Sequence, residues 1–263
     1  MKNFHTHTYR CMHASGTDED YVLAAIEAGY EVLGFADHSP WKYDSNFVAY
    51  MRMPLYEFDD YYKSLFRLKK KYQDKIDIKI GLECEYYPQY HEWLTKFVKE
   101  TNLDYVIFGN HYYETDEKYP YFGSCAKYND MLEKYVESTI AGLETGLYSY
   151  LAHPDLYMRA RNWDEHCEAA AHKICAYCKE HDIIMEYNLA GLRYSVMKGV
   201  MEYPHEEFWK IAASYKNKAI IGVDAHSPKH LADTSFYELA LENLKDLGIE
   251  VVEDIEFLNS KKK

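Results

Sequence analysis

The stretch AIIGVDAH (219–226) decides how the rest of the chain is read. A short apolar run, the length of a buried strand, leads directly into an acid and an imidazole two positions apart. On a strand, residues i and i+2 point to the same side, so Asp224 and His226 face together. The same design recurs along the chain. NFHTH (3–7) pairs His5 with His7, and EVLGFADH (31–38) ends on Asp37 and His38. DIKIGLECEYY (77–87) carries Glu83 and Glu85, DYVIFGNH (104–111) ends on His111, and LYSYLAHP (147–154) on His153. IIMEYNL (183–189) reads as a further strand with Asn188 at its end.

Amphipathic helical stretches separate these runs. Thr17 with Asp20 has the spacing of a capping pair opening YVLAAIEAGY, and Asn162 with Glu165 is expected to open another helix. Gly29, Gly146 and Gly248 are placed as helix stops. Strict alternation of β and α predicts a parallel sheet, and seven strands in one unit favour a barrel over an open sheet. GIEVVEDIEF (248–257) could add a strand at the C-terminal side. No repeat or Pro/Gly/Ser linker interrupts the pattern, so residues 1–263 are expected to form one domain.

Composition narrows the functional classes. The chain is 48% hydrophobic and 28% charged, suited to a large core with a solvated surface. No apolar run approaches the roughly 20 residues of a membrane helix, and the first residues lack a signal-peptide pattern, so a cytoplasmic protein with no membrane partner is expected. A net charge of -13 argues against a nucleic-acid partner, although bound cations could still receive an anionic substrate. The terminal SKKK reads as a solvated tail. Six scattered cysteines suit a reducing compartment. Cys175 and Cys178 lie i, i+3 on a helical stretch with no second pair, which reads as helix packing rather than a zinc site. The 28 tyrosines are expected mainly at interfaces, with wet hydroxyls.

In a parallel barrel the C-terminal strand ends share one face, where active sites are built. His5, His7, His38, Glu83, His111, His153, Asp224 and His226 would therefore converge. Imidazoles and carboxylates without thiolates suit zinc, manganese or iron, and so many donors exceed the needs of one ion. Two or three divalent ions are expected. His91, His166, His172, His181, His205 and His230 fall in helices or loops and read as ordinary structural or surface residues.

The ordered set FHTHT, FADHS, GLECEY, GNH, AHPD and GVDAH resembles the PHP (polymerase and histidinol phosphatase) superfamily over almost the whole chain. MRMPLYEF, IKIGLECEYYP and EYNLAGLRYS are similar to its histidinol-phosphatase branch. The resemblance implies a distorted (β/α)7 barrel of the TIM type holding a trinuclear metal centre. One ion would take His5, His7, Glu83 and Asp224. Glu83 would bridge to a second, completed by His111 and His153, and His13, His38 and His226 would hold a third. Asp37 could orient a histidine instead, and Glu85 is read as supporting rather than ligating. A hydroxide bridging the ions would be the nucleophile, with Asp224 or His226 passing a proton to the leaving alkoxide.

Phosphate also suits arginine forks. Arg159, after AHPD, and Arg193, in NLAGLR, are the leading candidates, ahead of Arg161 and Arg52. Asn188 is either a hydrogen-bonder to substrate at the barrel mouth or a loop anchor. The implied activity is hydrolysis of L-histidinol phosphate, a small phosphorylated substrate from histidine biosynthesis. The alternatives are a phosphatase of the same superfamily acting on phosphotyrosyl protein or another small ester, and a non-catalytic metal-binding barrel.

Overall fold

The computed structural model describes residues 1–258; the SKKK tail lies outside the described residues. Its strands are β1 (Lys2–Asn3), β2 (Val32–His38), β3 (Asp77–Cys84), β4 (Tyr105–Phe108), β5 (Met185–Asn188), β6 (Lys218–Gly222) and β7 (Glu250–Val251). The helices are α1 (Asp18–Glu27), α2 (Phe58–Lys71), α3 (His91–Glu100), α4 (Phe122–Cys125), α5 (Asn129–Glu144), α6 (Glu165–Glu180), α7 (Leu189–Lys198), α8 (Glu206–Ser214), α9 (Pro228–Ala232) and α10 (Ser235–Asp246). None of them is long and apolar enough to cross a membrane.

All strand pairs are parallel, in two arcs ordered β1-β2-β3-β4 and β5-β6-β7. Three isolated bridges join the arcs into a curled barrel. Leu151 pairs with Phe108 on one side and Met185 on the other, and Thr6 pairs with Ala225. The expected fifth strand, LYSYLAHP, is reduced to that bridge. His153 already has φ +30° and Pro154 offers no N–H, so the ladder cannot extend. NFHTH is shortened for a different reason. The Asn3 side chain bonds the His5 carbonyl at 3.2 Å and accepts from Val223 N at 2.9 Å, taking the place of backbone pairing.

The helix ends follow the sequence with one correction. Thr17 and Asp20 form a reciprocal capping box on α1, and Gly29, Gly146 and Gly248 adopt the left-handed conformation after their helices. The cap of α6 is Asp164, whose side chain accepts from Cys167 N, rather than Asn162. Cys175 and Cys178 sit on the buried face of α6. Helix α2 buries Tyr61, Leu65 and Leu68 at the spacing of an amphipathic stripe, each large side chain contributing about 2 kcal/mol.

Inside the barrel, a second apolar cluster of Phe4, Ala36, Tyr105, Ile107, Tyr150, Ala152, Ile220 and Ile255 fills the lower lumen. After β7 the chain crosses beneath it, with Phe257 edge-on to Phe4 at 6.0 Å. Many tyrosines depart from the wet-hydroxyl expectation. The buried Tyr61, Tyr105 and Tyr135 hydroxyls donate to the carbonyls of Gly81, Phe4 and Pro154, tying strands and loops from inside.

Candidate metal centre at the barrel mouth

Above the apolar plug, the strand ends deliver a cluster of imidazoles and carboxylates. His5 and His7 flank the Thr6 bridge after β1, while Asp37 and His38 end β2, His38 in register with Glu83 of β3. His111 follows β4, His153 follows the Leu151 bridge, and Asp224 and His226 follow β6. His13 reaches the same mouth from the loop after the short turn Tyr9–Cys11. All of these imidazoles and carboxylates except His5 and Asp37 line a cavity of about 540 Å³, shared with Arg159, Glu202 and several tyrosines.

Glu83 is the hub. Its Oε2 lies 2.9 Å from His38 Nδ1, 3.5 Å from His5 Nε2 and 3.6 Å from His7 Nε2. Its Oε1 faces His153 Nε2 at 2.9 Å and His111 Nε2 at 3.3 Å. Asp224 Oδ1 lies 3.2 Å from His7 Nε2. A Cβ on Gly109 would stand 2.2 Å from Glu83 Oε1, so only glycine lets β4 pass this close.

Around the hub, a ring of acceptors fixes the imidazoles. His5 Nδ1 is 2.7 Å from Glu186 Oε1, His7 Nδ1 is 3.3 Å from Asp37 Oδ1, and His111 Nδ1 is 3.0 Å from Glu85 Oε1. His13 Nδ1 meets the Cys11 carbonyl at 2.7 Å and His226 Nδ1 the Asp224 carbonyl at 3.2 Å. A carbonyl only accepts, so the last two rings carry their proton on Nδ1 and a lone pair on Nε2. Yet His13 Nε2 and His226 Nε2 face each other at 3.0 Å. Two lone pairs at that distance repel unless a cation sits with them.

Other buried atoms are left in the same condition. Glu83 Oε2, Asp224 Oδ1, His38 Nδ1 and His153 Nδ1 have no hydrogen-bond partner, the 2.9 Å approach of His38 to Glu83 being misaligned for one. Among the described residues, five groupings have ligand atoms within 4.8 Å of one another: His5, His7 and Glu83; His38, Glu83 and His111; His7, His38 and His226; Cys11, His13 and His226; and His7, Cys11 and Asp37. Burial acts against charge throughout, but the surrounding histidines hold Glu83 and Asp224 well below the usual carboxylate range. Burial also opposes charge on His7, whose contacts with Asp224 and Asp37 nevertheless push it up to about 9. Burial brings His38 down to about 3.

The remaining sequence candidates are dispersed. Arg159 lines the cavity, its guanidinium 5.8 Å from the centres of both the Tyr121 and Tyr194 rings. Arg193 is buried behind Asp224, donating to the Val223 carbonyl at 2.9 Å and leaving Nη1 without a partner. Asn188 caps α7 and donates to Glu186 at 2.9 Å and to Asp224 Oδ2 at 3.1 Å, the position of an anchor. Arg161 pairs with Asp164 away from the cavity. Arg52 is wholly committed to Glu85, at 2.7 and 2.8 Å, and to Asp116 at 3.1 Å.

Two participants escaped the sequence reading. Glu186 holds His5 and also accepts from His153 N at 3.1 Å. A Cβ on Gly222 would stand 1.7 Å from its Oε1. The available signal was a lone carboxylate inside the apolar run IIMEYNL, which demands a buried partner. Cys11, within 4.8 Å of the His13 and His226 ligand atoms, carried no such signal.

A model of the PHP domain matches residues 3–190. A protein named "Probable histidinol-phosphatase" from Deinococcus radiodurans is 26% identical over 260 residues, covering 93% of this chain and 92% of that protein. The histidinol-phosphatase of Bacillus subtilis is 23% identical over 250 residues, covering 84% and 92%. Among solved structures, the histidinol phosphate phosphatase of Lactococcus lactis, in complex with zinc, L-histidinol and phosphate, superimposes with a TM-score of 0.73. The identity is 18%, with 97% of this chain and 98% of that one covered, so the likeness is one of fold.

Proposed function

This chain belongs to the PHP domain family, and from that premise we propose that it is a metal-dependent phosphomonoesterase that hydrolyses L-histidinol phosphate to L-histidinol and phosphate. The observation that carries the metal dependence is the pair of lone pairs facing each other on His13 and His226, together with the unpartnered Glu83 Oε2 and Asp224 Oδ1. Such a donor set fits two or three divalent transition ions, zinc, manganese or iron. His5, His7, Glu83 and Asp224 would hold one. Glu83 with His111 and His153 would hold a second, and His13, His38 and His226 a third. The names of the relatives supply the substrate.

When bound, the ions would supply Lewis acidity toward the phosphoryl oxygens and an acidified water. The chain's own residues do the rest. Glu186, Asp37 and Glu85 keep Nε2 of His5, His7 and His111 turned toward the cavity by holding Nδ1. Arg159 places a permanent positive charge beside the phosphoryl group. Asp224 or His226 passes a proton to the leaving alkoxide oxygen. With six free, buried cysteines, the chain is assigned to the cytoplasm.

Elemental analysis after reconstitution, combined with initial rates on a panel of phosphate esters, tests the reading. Two or three stoichiometric ions are expected, with L-histidinol phosphate preferred over an aryl phosphate by at least about tenfold. At most one ion removes the multinuclear assignment, and comparable rates on the two esters remove the substrate.

A further inference from the structure

The cavity is lined by three carboxylates, Glu83, Asp224 and Glu202, and only the first two belong to the metal cluster. Glu202 lies in the loop between α7 and α8, with its backbone N–H 3.3 Å from Ser195 Oγ. Its Oε2 is buried and has no hydrogen-bond partner. Burial raises its pKa in spite of the neighbouring Arg159. That arginine is directed elsewhere: Nη1 is 3.5 Å from the Tyr121 hydroxyl, and its plane lies over Tyr121 and Tyr194. Outside the metal cluster, Glu202 is therefore the one carboxylate lining the cavity, among the described residues, with an oxygen that no protein donor satisfies.

Other acids near the mouth are paired or stand off the cavity wall, as Asp155 does, with Oδ2 accepting from His205 N at 2.6 Å and Oδ1 buried without a partner. Asp116 serves Arg52 and Tyr43, Glu117 serves Tyr90 and Ser45, and Glu85 serves Arg52 and His111. The acidic loops CEYYP and NHYYETDE thus contribute His111 and Tyr112 to the cavity wall but no carboxylate. A buried acceptor is costly to leave unmade, and an incoming cationic N–H would satisfy it. The metal cluster and Arg159 attract an anion to this cavity, while Glu202, a neighbour of Arg159, presents the opposite charge.

We propose that Glu202 is a specificity determinant that binds a cationic nitrogen of the substrate, so that the preferred class is a phosphate monoester bearing an ammonium or imidazolium group. The assignment rests on the phosphomonoesterase reading above. It requires that discrimination follow the nitrogen rather than the phosphate.

The test uses the metal-loaded enzyme and its E202Q variant on four esters: L-histidinol phosphate, its deamino analogue 3-(imidazol-4-yl)propyl phosphate, L-phenylalaninol phosphate, and 3-phenylpropyl phosphate. In E202Q, the kcat/KM ratio of L-histidinol phosphate to 3-phenylpropyl phosphate is expected to fall at least about tenfold, the scale of a charge-assisted hydrogen bond. Metal content should match the wild type. A loss that persists on the deamino ester identifies the imidazolium as the partner, and one that persists on L-phenylalaninol phosphate identifies the ammonium; either supports the proposal. A ratio that stays within about twofold of wild type overturns it. Competitive inhibition of the wild-type enzyme by L-histidinol against 3-phenylpropan-1-ol makes the same comparison without a substitution, and equal inhibition likewise overturns it. Failure of the metal-loaded wild type to hydrolyse any of the four esters is a different result: it removes the phosphomonoesterase reading, and Glu202's role with it.

Discussion

The two ends of the barrel lumen obey opposite rules. In the lower end, Phe4, Ile107, Ile220 and Ile255 pack against one another, and the Tyr105 hydroxyl donates to the carbonyls of Phe4 and Phe35 at 2.7 and 3.1 Å. In the upper end, imidazoles face imidazoles and buried carboxylate oxygens lack donors. The lower end gains stability from apolar burial and asks nothing of a ligand. The upper end is tolerable to the fold because cations can complete it, so stability and function are separated along one axis. Substitutions at the two ends should therefore fail in different ways.

The sharpest contrast is expected at Glu83. Glu83→Ala removes the carboxylate that faces five histidines and should abolish phosphatase activity, by about a thousandfold or more, with loss of bound metal. Steady-state rates with elemental analysis check this. A variant that keeps both its ions and its rate would move the hub elsewhere.

Two positions further on, just past the end of β3, Glu85→Ala should break a different property. It strands Arg52, fully buried and bidentate to Glu85, without its principal counter-charge. Removing one member of a buried pair costs about 3–5 kcal/mol. Chemical denaturation should show that loss, while metal content falls less than in Glu83→Ala because Glu83 and its five facing histidines remain and only the Nδ1 partner of His111 is removed. If Glu85→Ala is as stable as wild type, the Arg52 pair is not holding the loop.

At the lower end, Ile220→Ala should cost about 3 kcal/mol of unfolding free energy through the cavity it leaves, and the substituted protein should still bind its full complement of metal. Loss of metal in that variant would join the two ends and break the comparison.

The upper end was far more legible in the sequence than its support. Strand ends of a parallel barrel share a face, so apolar runs ending in His or Asp announced the cluster, and i, i+2 spacing oriented His5 with His7 and Asp224 with His226. Glu186 and the Arg52–Glu85 pair stayed hidden because a buried charge is explained only by its tertiary partner, and Arg52 lies 33 positions from Glu85. The missing fifth strand has a local cause, since the turn at His153 and Pro154 that aims a donor inward also ends the ladder. Glu202 was illegible for another reason. It sits in a loop with no periodicity, and only its unpaired oxygen in the cavity separates it from a surface acid.

The smallest effects should separate the two arginines. Arg159 is cavity-lining and lies over the half-buried Tyr121 and the exposed Tyr194, so Arg159→Ala should lower kcat/KM by about ten- to 150-fold, the value of one charge-assisted contact, with stability near wild type. Arg193 is different because its Nη2 holds the Val223 carbonyl immediately before Asp224. Arg193→Ala leaves that carbonyl without its donor and should cost about 1–3 kcal/mol of stability in addition to any loss of rate. Paired melting curves and kinetics on the two variants decide it. A fall in melting temperature for Arg193→Ala alone places that residue in the support of the Asp224 loop, whereas matched kinetic losses with no fall in either place both guanidiniums on the phosphate.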